Sequence, residues 1–164
     1  LRLTLEQVEA MHRHAREGYP DECCGLIIGP PRARGEQEDT LALLPCKNVQ
    51  NEMHEKDPEI YPRTARRAFL IDPFEFERIA RRAEEAGEVV RGIFHSHPDE
   101  DAYFSQEDVD AAVPFGDIPA FPDAEHVVMS VREGVVLGQK VYSWDAGRKE
   151  FVESELEILE EAGA

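Results

Sequence analysis

Residues 95–108, HSHPDEDAYFSQED, gather two histidines, a serine and several carboxylates into fourteen positions. His95 and His97 stand two apart at the end of a β-rich run, EVVRGIFHSH (88–97), and side chains at i and i+2 of a strand share one face. Both imidazoles can therefore enter one pocket as a two-jawed clamp for a metal. Ser105 and Asp108 carry two readings. Ser-x-x-Asp ahead of a helix is a capping box, in which hydroxyl and carboxylate each accept an otherwise orphaned backbone N–H. Asp108 is also placed to be a third ligand, because residues 98–104 let the chain turn and bring the next helix back over the strand end. A His₂Asp set leaves one tetrahedral position open, the pattern of catalytic rather than structural zinc. A hydrolase built on it needs a base and an oxyanion donor. Glu22, just before the apolar run CCGLIIG (23–29), is the candidate base, and Ser105 the candidate donor. Taken alone, the same two residues read as a strand-entry glutamate and a helix cap.

The elements that must position these groups follow from periodicity and punctuation. Thr4 precedes an amphipathic run, with Leu5, Val8 and Met11 spaced by three and Gly18 at its end, which predicts a capped first helix. CCGLIIG predicts a buried strand, PPRARGEQED (30–39) a hairpin turn, and 40–46 a second strand. The polar segment 47–67, with Pro58 and Pro62, predicts an irregular surface excursion. A short strand is expected at 68–71, then a helix opened by Asp72-Pro73 and closed by Gly87. After the histidine strand come a short helix (SQEDVDAAV), a Pro-rich loop at 113–123, and strands near 125–132, 135–144 and 149–153. The tail from about 154 reads as a solvated helical or frayed end. The order is mixed α/β (α+β) with hairpins rather than a regular βαβ alternation, so a doubly wound parallel sheet is not expected.

Bulk properties narrow the function classes. A chain of 164 residues with 41% apolar content is expected to form one domain with a real core. No run of about 18 apolar residues is present and no signal-peptide order opens the chain, so a soluble, cytoplasmic protein with no membrane contact is expected. Three cysteines without a CxxC pair argue against a disulfide framework and against a zinc ribbon. With 35 acidic and 18 basic residues the formal charge is −17, which repels phosphate backbones and disfavours nucleic acid as a partner.

The glutamate upstream, followed by His-x-His, seven residues and Ser-x-x-Asp, resembles the signature of the JAMM (MPN+) zinc metalloprotease family. Here it stands as Glu22, His95, His97, Ser105 and Asp108, with PDEDAYF filling the gap. The flanks PDECCGLIIG (20–29), IDPFE, GIFHSHP (92–98) and a late-strand Trp144 are similar to short bacterial members, so the resemblance runs from about residue 3 to 153. It implies zinc on His95, His97 and Asp108, a general acid/base at Glu22 and an oxyanion-stabilising serine at Ser105. The implied fold is MPN/JAMM-like (cytidine-deaminase-like), a central curved mixed β-sheet flanked by helices. The implied activity is hydrolysis of an amide or isopeptide bond after the C-terminal Gly-Gly of a ubiquitin-like or sulfur-carrier protein. One departure is Phe104, where the family often has Pro before the serine.

Rival readings fit less well. His-x-His-x-Asp begins a metallo-β-lactamase motif, but Glu100 stands where that family wants a histidine. A 164-residue chain is too short for the (β/α)₈ barrel of the amidohydrolases, and a RadC-like, DNA-linked role conflicts with the charge. The main alternative is a non-catalytic MPN scaffold, a class that typically lacks one or more ligands. His12, His14, His54 and His126 read first as surface or packing residues, and Asp99, Glu100 and Asp101 as a solvated loop or a rim repelling acidic substrates. The excursion at 47–67 and the loop at 113–123 are the expected walls of a substrate groove, with the tail bound extended by strand addition.

Overall fold

A computed structural model describes residues 1–32 and 41–160. Its centre is a six-stranded mixed sheet in the order β3-β2-β4-β5-β6-β7. The strands are β2 (Cys24–Gly29), β3 (Ala42–Cys46), β4 (Val89–Pro98), β5 (Glu125–Arg132), β6 (Val135–Asp145) and β7 (Glu150–Ser154). Only β4 and β5 run parallel; the other neighbours are antiparallel. Among the described residues four helices flank the sheet: α1 (Leu5–Gly18), α2 (Gln50–Lys56), α3 (Pro73–Glu85) and α4 (Gln106–Ala112). No helix among them is long and apolar enough to cross a membrane.

Strand alternation divides the core. Cys23, Ile27, Phe94, Val127, Met129 and Val141 face α1, whose buried stripe is Val8, Met11 and Ala15. Cys24, Leu26, Ile28 and Ile93 face the opposite layer, where Phe76, Ile79 and Ala83 of α3 meet them. His95 and His97 fall on this second face by parity with Ile93. The caps predicted from sequence are present: Thr4 and Gln7 form a capping box, and the Asp72 carboxylate accepts from Phe74 N–H ahead of Pro73. The β2/β3 pairing is antiparallel as a hairpin requires, although most of the turn between them lies outside the described residues.

Three expectations are corrected. The excursion at 47–67 contains α2, started where Asn48 Oδ1 accepts Gln50 N–H. Pro58 and Pro62 mask it in the sequence but fall after its end. Residues 68–71 form no strand, only a bridge between Asn48 and Ile71, because Leu70 N–H and C=O are taken by Asn48 Oδ1 and Val49 N–H. The tail is not a frayed or helical end through Leu159. It carries β8 (Glu157–Leu159), which pairs in parallel with β1 (Arg2–Thr4), a two-stranded sheet that neither segment announces alone.

Gly25 shows how closely the strands under the site approach. A Cβ there would lie 2.1 Å from Phe94 Cζ and 2.7 Å from the backbone oxygen of Leu44, and Phe94 is fully buried. Gly25→Ala is therefore expected to cost about 3 kcal/mol, lowering Tm by roughly 6–12 °C in a chain of this size; a thermal melt unchanged to within a degree would show that the strand pair is looser than this contact requires.

Candidate metal centre and cleft

β4 carries His95 and His97 to the end of the central strand, both almost fully buried. His97 Nδ1 lies 3.0 Å from the Asp101 carbonyl. A carbonyl only accepts, so that nitrogen carries the proton and a neutral His97 presents Nε2 as a lone pair. His95 is held by stacking on Phe69, with ring centroids 4.7 Å apart, and its Nδ1 is buried without a hydrogen-bond partner among the described residues.

The third group arrives on α4. Ser105 Oγ accepts from Asp108 N–H at 3.1 Å, and Asp108 Oδ2 accepts from Ser105 N–H at 3.0 Å. This is the capping box read from the sequence, and it points the same carboxylate oxygen at both imidazoles. His95 Nε2 and His97 Nε2 are 3.1 Å apart, and Asp108 Oδ2 lies 3.3 Å from the first and 3.4 Å from the second. The capping and ligand readings of Asp108 are thus compatible in one geometry. Ligand bonds of about 2.0–2.1 Å in a tetrahedron place donor atoms about 3.3 Å apart, so the three atoms fit the face of a metal's coordination shell.

Glu22 is buried, at 6% exposure, and offers an oxygen within 4.8 Å of donor nitrogens of both histidines. Its backbone is fixed from three sides. Glu22 N–H donates to the Ala65 carbonyl at 2.8 Å, Asn48 Nδ2 donates to the Glu22 carbonyl at 2.9 Å, and the next residue, Cys23, donates its N–H to Ser96 Oγ at 2.8 Å. Burial pushes the Glu22 carboxyl up to about 8, against the lowering influence of His97 and Arg63. Burial also works to raise Asp108, but the charge and hydrogen bonds of His95 and His97 hold it far below the usual carboxylate range. Burial works to lower His97, and its bonds to Asp108 and the Asp101 carbonyl reverse the sign, so its pKa is raised.

Two clefts meet at these residues. A polar one of about 210 Å³ is lined by Glu22, His97, Ser105 and Arg63 among others. An apolar one of about 420 Å³ is lined by Phe69, Ile93, His95, Phe104 and Phe121 among others. Arg63, Arg67, Glu107 and Asp108 line both. Arg63 from the 47–67 segment and Phe121 from the 113–123 loop thus line the clefts. The rim carboxylates are engaged: Asp99 accepts from Tyr19 Oη at 2.9 Å and lies 3.5 Å from Arg66, and Glu100 lies 3.7 Å from Arg67. His126 is a buried packing residue.

Several residues that build the site carry no motif. Ser96, Asn48, Phe69 and Arg63 escape sequence reasoning, and only Asn48, directly ahead of a helix start, carries a local signal. Phe104 explains its own departure from the family pattern: its ring packs on His126, Tyr142 and Phe151 with centroids 5.0, 5.5 and 4.7 Å away. Where Pro would stiffen the loop locally, an aromatic cluster ties it to the sheet.

Comparison with known proteins gives the family and the fold. Residues 4–145 match the family described as prokaryotic homologs of the JAB domain. The chain belongs to that family. It is 32% identical over 131 residues to a CysO-cysteine peptidase of Mycobacterium tuberculosis, covering 80% of this chain and 73% of that one. It is 33% identical over 116 residues to a desampylase of Haloferax volcanii, covering 68% and 72%. Among solved structures, one from Desulfitobacterium hafniense superposes with a TM-score of 0.65 at 24% identity over 98% of this chain and 93% of that chain. A JAB1/MPN domain protein of Archaeoglobus fulgidus does so at 0.52 and 18% over 97% and 99%. The JAB fold, a mixed sheet flanked by helices, is therefore the fold of this protein, and a CysO-cysteine peptidase and a desampylase are among its relatives.

Two measurements follow. Phe104→Ala removes the cluster behind the ligand-bearing loop and is expected to lower stability by about 3 kcal/mol and weaken metal binding about tenfold; an unchanged metal titration would mean the capping box alone holds Asp108. Burial, reinforced by the charge of His95, holds His126 down to about 4, so between its ordinary value and about pH 4 the folded state binds fewer protons than the unfolded. His126 therefore costs nothing above about pH 6.5, and its penalty builds as the pH drops from there to about 4 and then levels off. His126→Gln is expected to flatten that part of the acid limb in urea unfolding, and an unaltered limb would assign the sensitivity elsewhere.

Proposed function

We propose that this protein is a zinc-dependent metallopeptidase that hydrolyses an amide or isopeptide bond after the C-terminal Gly-Gly of a ubiquitin-like or sulfur-carrier protein. The observation that carries the reading is the convergence of two imidazole nitrogens and one carboxylate oxygen within 3.1–3.4 Å, beside a buried glutamate at the junction of two clefts. Relatives named for the CysO-cysteine and desampylase activities support the substrate class.

His95, His97 and Asp108 would hold the ion. A zinc ion held there would supply Lewis-acid polarisation of the scissile carbonyl, a more acidic water and a positive charge that favours the ionised Glu22 carboxyl. Glu22 accepts the proton that the attacking water gives up and delivers it to the leaving amine. Ser105 Oγ uses a lone pair for Asp108 N–H, which leaves its own proton free to donate to the carbonyl oxygen as negative charge develops. Its helix cap and its catalytic role therefore use different parts of one hydroxyl.

Protein purified without metal supplementation is expected to contain about one equivalent of zinc. Asp108→Asn separates the two roles of that residue: its amide oxygen can still accept from Ser105 N–H, so α4 is expected to persist while zinc is lost. Glu22→Gln is expected to keep zinc and lose about 10²–10⁴ in kcat on a Gly-Gly-tailed conjugate. Full activity in that variant would overturn the proton assignment, and absence of zinc from folded protein even after it is offered would favour the scaffold reading.

A further inference from the structure

The polar cleft brings three arginines to the catalytic edge of a chain with formal charge −17. Arg66 and Arg67 are turned to the rim carboxylates Asp99 and Glu100. Arg63 is not: its Nη1 donates to the Arg67 carbonyl at 3.2 Å, and among the described residues it has no carboxylate within 4.0 Å. It lines the polar cleft together with Glu22 and lies on the wall shared with the apolar cleft. A guanidinium with N–H groups to spare thus shares the polar cleft with the proton donor of the proposed reaction, while its neighbours pair with two of the rim acids, Asp99 and Glu100.

We infer that Arg63 reads the free α-carboxylate of the leaving group, so that the bond cleaved joins the carrier tail to the α-amine of a single amino acid. The inference rests on the hydrolase reading above and names its leaving group. Glu22 must face the departing nitrogen to protonate it, so the leaving group occupies the polar cleft and the tail the apolar one. In an α-linked amino acid the carboxylate is one carbon from that nitrogen, and so enters the cleft that Arg63 lines together with Glu22. In a lysine isopeptide the corresponding carboxylate lies at the far end of a four-methylene stem and is itself in amide linkage within a protein. Arg63 favours the first, because its planar fork pairs with a carboxylate through two parallel hydrogen bonds. The step balances as a hydrolysis: water oxygen bonds to the glycine carbonyl carbon, the C–N bond breaks, and the proton carried by Glu22 goes to the nitrogen. A new carboxylate remains on the tail and a free amino acid departs.

The test uses zinc-loaded protein and three peptides: one ending Gly-Gly-Ala with a free carboxylate, its C-terminal amide, and the same Gly-Gly tail joined to lysine Nε in a capped peptide. Wild type is expected to hydrolyse the free acid at least about tenfold better than the amide in kcat/KM, with the difference in KM. Arg63→Gln should shrink that ratio to about twofold and Arg63→Lys should retain part of it, with melts checking that both fold. Binding of the acid and the amide to Glu22→Gln protein gives the same comparison without turnover. Equal binding and cleavage of acid and amide, a preference that survives Arg63→Gln, or faster cleavage of the lysine-linked peptide would overturn the inference. If none of the three were cleaved while the acid still bound preferentially, the hydrolase reading would fall and carboxylate recognition by Arg63 would stand.

Discussion

Everything at this site depends on the reciprocal hydrogen bonds between Ser105 and Asp108. They close the first turn of α4 and in the same act aim Asp108 Oδ2 at two imidazoles on another element. A carboxylate on a free loop would give up rotamer freedom on meeting a metal; here the helix cap has already fixed it. The residue that satisfies the helix end is the one that completes the donor set, which is why the structural and chemical readings of Ser-x-x-Asp are compatible.

The strand side is held with comparable care. His95 and His97 project from a strand paired on both sides, antiparallel to β2 and parallel to β5, so their backbone has little freedom. Between them, Ser96 turns to the other face and accepts Cys23 N–H, coupling the histidine strand to the residue after Glu22. Gly25 lets Phe94 pass close beneath that junction. Fixing Glu22 relative to the two imidazoles comes down here to pairing register, one hydroxyl and one missing side chain.

Electrostatics divides the molecule. Three arginines of the strongly acidic chain line the polar cleft, and two of them pair with the rim carboxylates Asp99 and Glu100. At the centre, burial drives the Glu22 carboxyl up while paired imidazoles drive Asp108 down. Two carboxyl groups in one site are thereby pushed in opposite directions, the kind of separation that the proposed acid–base role of Glu22 calls for.

What the sequence determined by itself is what is local. Thr4, Asp72 and Ser105 announce their helices because a cap is a hydrogen bond across three residues. The histidine pair announces its shared face because strand parity is two. The glutamate, the histidines, the serine and the aspartate were legible as a set because their spacing is a family signature. Tertiary structure decided what depends on partners distant in the chain. The β1/β8 pair exists only as each strand's answer to the other's edge, so the tail by itself reads as a frayed end. The excursion concealed α2, a seven-residue helix without a clear apolar stripe, held by Asn48 and the Leu70 backbone. Arg63, Phe69 and Ser96 gained their places at the site from the packing of segments far apart in the chain, and no spacing rule links residues whose relation is set by how a sheet closes over its flanking loops.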